Sequence, residues 1–380
     1  MNIAFDAKRY FNNTTGLGNY SRSLVNNMAA LHSEHNYFLC NPKKTFKYLP
    51  PIYNNLQTIL PTKMHHKLFT SLWRSNFVLS ALKTNNINIY HGLSHEIPIG
   101  IGRTNIASVV TMHDLIFELY PNQFKAIDRI IYRQKFKHAA QHANAIIAIS
   151  TQTKTDLINL YKVPTQKIHV CYQSCSDIFK QPINKLDAFN FLQQHNLPSQ
   201  YLLYVGSIIE RKNVLLILKA LVLLPVKKRL PLIIVGKGDY YEKIVRTYIS
   251  NNNLTKWVIF LNDIIKDGNY IYNHLPYLYQ AAQMFIYPSH YEGFGIPLLE
   301  AMHSHCPVIT SNVSCLPETV GNAGICIAVN NPSLLLENIL MLLQNKTLAA
   351  TMVEKGLIQA AKFSTKNSVN STINVYKSVW

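Results

Sequence analysis

Short apolar runs, each three to six residues long, alternate with helix-length stretches along the whole chain. In the first half the runs fall at 2–6, 36–40, 88–90, 106–111 and 145–149. In the second they fall at 201–205, 232–235, 257–261, 284–287, 307–310 and 325–327. This alternation is the pattern of parallel strands with helices packed on both faces, so the fold class is α/β. At 380 residues the chain is long for one core and suits two such domains of roughly equal size. The break is expected in Phe179-Lys180-Gln181-Pro182-Ile183-Asn184-Lys185, which gives domains at 1–182 and 183–363.

The most chemically specific stretch is Pro288-Ser289-His290-Tyr291-Glu292-Gly293-Phe294-Gly295-Ile296-Pro297-Leu298-Leu299-Glu300-Ala301-Met302. The apolar strand 284–287 runs into it, and a helical run leads out from Pro297. A strand that breaks on glycines and restarts as a helix points backbone N–H groups outward, where they suit an anion. Glu292 is then on the loop and Glu300 about one turn inside the helix. Two carboxylate acceptors beside such a helix start suit a ligand with both phosphates and hydroxyls, and a nucleotide sugar is one.

This segment resembles the E-x7-E signature of retaining glycosyltransferases of family 4, which have the GT-B fold. Further blocks agree in order: Tyr201-Leu202-Leu203-Tyr204-Val205-Gly206-Ser207-Ile208-Ile209-Glu210-Arg211-Lys212-Asn213, Ile233-Ile234-Val235-Gly236-Lys237-Gly238 and Leu275-Pro276-Tyr277-Leu278-Tyr279-Gln280-Ala281-Ala282. Nearer the start, Thr15-Gly16-Leu17-Gly18-Asn19-Tyr20 and Thr111-Met112-His113-Asp114-Leu115 resemble the glycine loop and His-Asp segment of mannosyltransferase-like members. The resemblance departs at His305-Cys306-Pro307, where the family usually has glycine before the next strand. It implies two Rossmann-like doubly wound parallel-sheet domains facing across a cleft. The N-terminal domain is then on the acceptor side, the C-terminal one binds the nucleotide sugar, and a final helix, 364–380, crosses back to the first.

The resemblance also implies roles. Arg211 and Lys212 are expected to neutralise the leaving diphosphate, arginine as a fork and lysine as a point charge. Glu300 is expected on the ribose hydroxyls, and Glu292 near the transferred sugar, where it acts covalently or electrostatically. The amides of Gly293, Phe294 and Gly295 are expected on sugar or phosphate. Gly16 and Gly18, with Gly206, are expected to let backbone approach the donor. His113 is expected to touch the donor sugar or the attacking hydroxyl, with Asp114 orienting it or capping the next turn. The expected donor is GDP-mannose, then a UDP-sugar. The expected acceptor is a growing, lipid-linked surface glycan, and no cofactor or metal is implied.

The charge points the same way. The chain has a formal net charge of +18, with 37 Lys+Arg against 19 Asp+Glu, and the excess is concentrated in the first half. Basic residues mix with large apolar ones in Lys63-Met64-His65-His66-Lys67-Leu68-Phe69-Thr70-Ser71-Leu72-Trp73-Arg74 and again in Arg129-Ile130-Ile131-Tyr132-Arg133-Gln134-Lys135-Phe136-Lys137-His138. Both read as helices suited to an anionic membrane surface or to a solvated domain face. No signal peptide or bilayer-length apolar run is present, so the expected location is the cytoplasm, peripheral on the inner membrane face. The six cysteines are scattered and read as buried thiols, without a metal set.

Two other classes compete. A nucleic-acid binder would use the positive charge, but no nucleic-acid module is recognisable and none is expected as a partner. A GT-B relative with other sugar-nucleotide chemistry, such as an epimerase, would not need the full Arg211, Lys212, Glu292 and Glu300 set.

Overall fold

The computed structural model describes residues 1–44, 46–182 and 184–380. They form two compact units: Met1–Gln173 with Ser364–Trp380, and Ser174–Phe363.

The first unit is built on seven strands: β1 (Asn2–Asp6), β2 (Asn36–Cys40), β3 (Leu56–Ile59), β4 (Ile89–Gly92), β5 (Ala107–Met112), β6 (Ala145–Ala148) and β7 (Ile168–Val170). Their order across the sheet is β3-β2-β1-β4-β5-β6-β7, and every pairing is parallel. Successive strand residues point to opposite faces, and both faces are buried. Ile3, Phe5, Tyr37, Leu39 and Ile89 pack on one side, with Val25 and Met28 of the helix Gly16–Leu31 and with Val369, Ile373 and Tyr376 of the helix Thr365–Val379. Ala4, Phe38, Tyr90, Val110 and Met112 pack on the other, with Leu82, Phe136 and Ala139. Burial on both faces is why these strands read as unbroken apolar runs.

The second unit has β8 (Leu202–Val205), β9 (Leu232–Val235), β10 (Val258–Phe260), β11 (Met284–Tyr287), β12 (Val308–Ser311) and β13 (Ile325–Ile327), in the order β10-β9-β8-β11-β12-β13, all parallel. The apolar helix Val214–Leu223 is inside its core. In each sheet the order reverses once, between β1 and β4 and between β8 and β11. Parallel sheets bind ligands outside the carboxyl ends of their strands at such switch points.

Three expectations need correction. The strand β3 was not among the expected runs, because Leu56-Gln57-Thr58-Ile59 is half-exposed and polar at its centre, as an edge strand tolerates. The first unit ends at Gln173, not at 182, because the turn Asp177–Lys180 packs on the second unit: Phe179 is fully buried against Tyr272 and Tyr279. Ile183, in the expected linker, lies outside the described residues. Residues 63–74 are not one helix. They break into Met64–Leu68, Thr70–Leu72 and a π-helical turn, Trp73–Phe77. Among the described residues no helix is long and apolar enough to cross a membrane, and the six cysteines are free.

Candidate active site

The switch point of the second unit gathers the charged residues of the motif. After β8 the chain turns at Gly206 and makes the short helical turn Glu210–Lys212. Asn213 follows in the left-handed conformation, and its side-chain amide donates to the carbonyls of Pro288 (3.2 Å) and Val329 (2.8 Å). These bonds fasten the β8 loop to the β11 loop, which carries Glu292, and to the segment after β13.

Glu292 is buried, and four donors converge on its Oε1. They are Lys212 Nζ (2.9 Å), Arg211 Nη1 (3.1 Å), Ser289 Oγ (2.8 Å) and the Tyr287 hydroxyl (3.0 Å). Oε2 has no partner among the described residues. Burial opposes the carboxylate charge, but Lys212 and Arg211, with hydrogen bonds from Lys212 and Ser289, overcome it and hold the pKa at about 2. The Arg211 Nη1 also donates to the Tyr291 carbonyl. Burial lowers the pKa of Lys212 while Glu292 opposes the shift. The Lys212 ammonium also reaches the Tyr287 hydroxyl at 2.5 Å.

Beyond Glu292 the chain enters the helix Ile296–His303 through Gly295, whose φ of 98° is a conformation that glycine adopts without strain. Thr319 Oγ1 donates to the Phe294 carbonyl at 2.6 Å, and Ser314 Oγ donates to that of Glu292 at 2.7 Å, which fixes the loop. The Phe294 ring packs on Phe363. The amides of Gly293 and Gly295 make no hydrogen bond among the described residues. Glu300 is buried in the helix and accepts from the Tyr279 hydroxyl at 3.1 Å. Burial pushes its pKa up to about 7, opposed by Tyr279 and Lys212.

The remaining expected residues belong to the first unit. Gly16 opens the helix Gly16–Leu31, and a Cβ there would meet open space. At Gly18 a Cβ would be 2.0 Å from the Asn13 carbonyl oxygen, so packing of the chain against itself demands glycine there. His113 follows β5 and is buried. Its Nε2 donates to the Leu93 carbonyl at 2.9 Å, which leaves Nδ1 to accept from the Gln173 amide at 3.3 Å. Burial lowers its pKa to about 4, so the ring is neutral. Asp114 caps the following turn, accepting from the Ile116 amide at 3.1 Å.

Sequence reasoning missed Tyr287, Ser289 and Tyr279. Tyr279 packs against Phe179 and Phe285, and its hydroxyl also holds Glu300. Tyr287 ends the strand, where a side chain reaches the crevice, and that position was the one available signal.

The description "Glycosyl transferases group 1" matches residues 187–358, and "Glycosyltransferase Family 4" matches 14–174. The O-antigen chain mannosyltransferase B of Escherichia coli is 30% identical over 393 aligned residues, covering 99% of this chain and 100% of that protein. Among solved structures, sucrose-phosphate synthase of Thermosynechococcus elongatus aligns with a TM-score of 0.76 at 21% identity, over 100% of this chain and 98% of that one. Anabaena HepE, solved with UDP-glucose, aligns with a TM-score of 0.73 at 15% identity, over the whole of both chains.

Proposed function

This chain belongs to the glycosyltransferases, with a family 4 N-terminal half and a group 1 C-terminal half, and on that premise we propose that it moves mannose from GDP-mannose to a hydroxyl of a growing glycan. The transfer retains the anomeric configuration and needs no metal, and the acceptor is lipid-linked. The observation that carries the reading is the Arg211–Lys212–Glu292 cluster at the switch point of the second unit, with Glu300 in the helix beyond it. A transferase must neutralise a leaving diphosphate while positive charge grows on the anomeric carbon. Preorganised cations are the largest available source of that stabilisation.

Arg211 and Lys212 are assigned to the diphosphate. Glu292, ionised and directed through Oε1, offers Oε2 to the hydroxyls of the transferred sugar or to its developing charge. Glu300 accepts from the ribose diol. The mannose assignment is supported by the E. coli relative, whose name gives a mannosyl transfer onto an O-antigen chain. UDP-sugars are the next donors to test, since HepE was solved with UDP-glucose.

The site of work is proposed to be the anionic inner face of a membrane. In support, Met64, Leu68, Phe69 and Leu72 are exposed beside Lys63 and Lys67, and the helix Ala126–His142 exposes Ile127, Ile130 and Ile131.

The test is calorimetric titration of the purified chain with GDP, UDP, ADP and their sugar conjugates in EDTA, followed by transfer assays with the preferred donor. GDP-mannose is expected to bind best, and the product to be the α-anomer by NMR. Arg211→Ala is expected to lower turnover by about a hundredfold or more. Failure of every nucleotide to bind overturns the reading.

A further inference from the structure

Two carbonyls of the loop after β11 are held from one side, and this decides where the loop's amides point. The short helix Leu316–Val320 follows β12. From the turn before it, Ser314 Oγ (2.7 Å) and Cys315 Sγ (3.1 Å) donate to the Glu292 carbonyl. From its body, Thr319 Oγ1 donates to the Phe294 carbonyl at 2.6 Å, closer than the 3.0 Å to the Cys315 carbonyl one turn back. Every described peptide bond is trans, and in a planar trans peptide the C=O and the following N–H point in opposite directions. The amides of Gly293 and Gly295 are therefore turned away from the helix Leu316–Val320. Neither makes a hydrogen bond among the described residues, although Gly295 is buried. Amides of buried residues are nearly always paired, so these two call for an acceptor from outside the chain.

The arrangement is kept against local strain. Ser314 is held at a φ of 58°, a region that residues with a Cβ enter at a cost. Its hydroxyl bonds the Glu292 amide (3.3 Å) as well as the carbonyl. The far end of the helix is tied to a third element. Gln359 is buried, and its side-chain amide donates to the carbonyls of Thr319 (3.2 Å) and Glu318 (3.4 Å). A Cβ at Gly321 would be 2.9 Å from the Gln359 amide carbon, so glycine there makes room for this bond. Apolar packing alone would seat the helix without fixing the direction of either loop carbonyl. Hydrogen bonds to both fix it.

We infer that Ser314 and Thr319 are positioning residues, which aim the amides of Gly293 and Gly295 at an oxygen of the bound donor. Donors set in place beforehand need no reorganisation as charge develops on that oxygen. That the oxygen belongs to a nucleotide sugar rests on the transferase reading above; that two hydroxyls aim the amides rests on the loop alone.

The test is glycine-selective isotope labelling of the full chain, with amide NMR spectra recorded alone and with pyrophosphate, GDP, UDP, GDP-mannose and UDP-glucose. Glu-Gly and Phe-Gly each occur once in the sequence, so carbonyl labelling of Glu and of Phe assigns the two resonances. Both amides are expected to move with pyrophosphate and a nucleotide if the oxygen is a phosphate's, and only with a sugar conjugate if it is the sugar's. Thr319→Val is expected to weaken the ligand that moves them about tenfold, the loss of one aimed donor. Thr319→Ser keeps the hydroxyl and is expected to restore the affinity. Amides that stay in place with every ligand overturn the inference, whether or not a nucleotide binds, and so does wild-type affinity in Thr319→Val. If Thr319→Val does not fold, Ser314→Gly removes a hydroxyl and relieves the backbone strain together. It is expected to weaken the ligand several-fold, and unchanged affinity overturns the inference. Pyrophosphate that moves both amides in a chain that binds no nucleotide would leave the aimed amides standing and remove the nucleotide-sugar reading instead.

Discussion

Glu292 and Glu300 are the same residue type eight positions apart, and their surroundings drive them to opposite ends of the carboxylate range. Glu292 has two cations within 3.1 Å and sits at about 2, whereas Glu300 has a phenol and burial and sits at about 7. A ribose diol needs an ionised acceptor, so donor affinity should rise as pH increases through about 7. In Glu300→Gln it should be flat across that range, and a parallel profile in the two proteins would remove Glu300 from the ribose. The same shift has a stability consequence. The folded-state pKa lies above the ordinary value of 4.5, so the contribution of Glu300 is fully present below pH 4.5 and is lost as pH rises through about 7. The loss is about 3 kcal/mol by pH 8, and Glu300→Gln should abolish it, measured as the difference in denaturant midpoints. Glu292 runs the other way: its depressed pKa stabilises the fold above pH 4.5 and the benefit disappears as pH falls through about 2.

At the scale of elements, several of the expected site residues come just after the carboxyl end of a parallel strand. Arg211 and Lys212 follow β8, Glu292 follows β11, and His113 follows β5. The basic, apolar surface of the first unit is also an element-scale property. Residues 64–77 form three short helical pieces, and the helix Ala126–His142 meets the last of them through Glu96, which pairs with both Arg74 and Lys135. Binding to phosphatidylglycerol vesicles should fall as salt rises, and should be absent on phosphatidylcholine. Phe69→Glu and Ile130→Glu should each weaken it about tenfold without lowering thermal stability, since both side chains are exposed. Binding that ignores salt would exclude an electrostatic surface. The stretch 129–138 was legible as a helix. That Arg133 is spent on Glu118, at 2.8 and 2.5 Å, was not, because Glu118 comes from a different helix.

At the scale of the molecule, each unit has its own core, and the last helix belongs to the first. Val369, Ile373, Val375 and Tyr376 are buried there, and the Tyr376 hydroxyl meets His91 Nδ1 at 2.6 Å. Removing residues 365–380 should cost about 5 kcal/mol or more, comparable to the whole stability of a domain. The first unit should then unfold in calorimetry while the second keeps its own transition. A truncated chain that keeps both transitions would contradict this account of its core.

The sequence alone determined the alternation of strands and helices, the two-unit layout, and the identity of the Arg-Lys pair and the two glutamates. The alternation and the layout are written in local periodicity and turn chemistry, which act over a few residues, and the four charged residues in the resemblance of their segments to family 4 motifs. It did not determine which atoms meet. Lys212 and Glu292 are 80 positions apart, Arg74 and Asp6 are 68, and His91 and Tyr376 are 285. Those pairings exist because strand order places β8 beside β11 and β1 beside β4, and because helices cross over the sheet. Strand order depends on the summed packing of both faces, and no short window of residues carries that sum. For the same reason Thr319, unmarked in its own stretch of sequence, stands out only once the fold sets its hydroxyl against the Phe294 carbonyl.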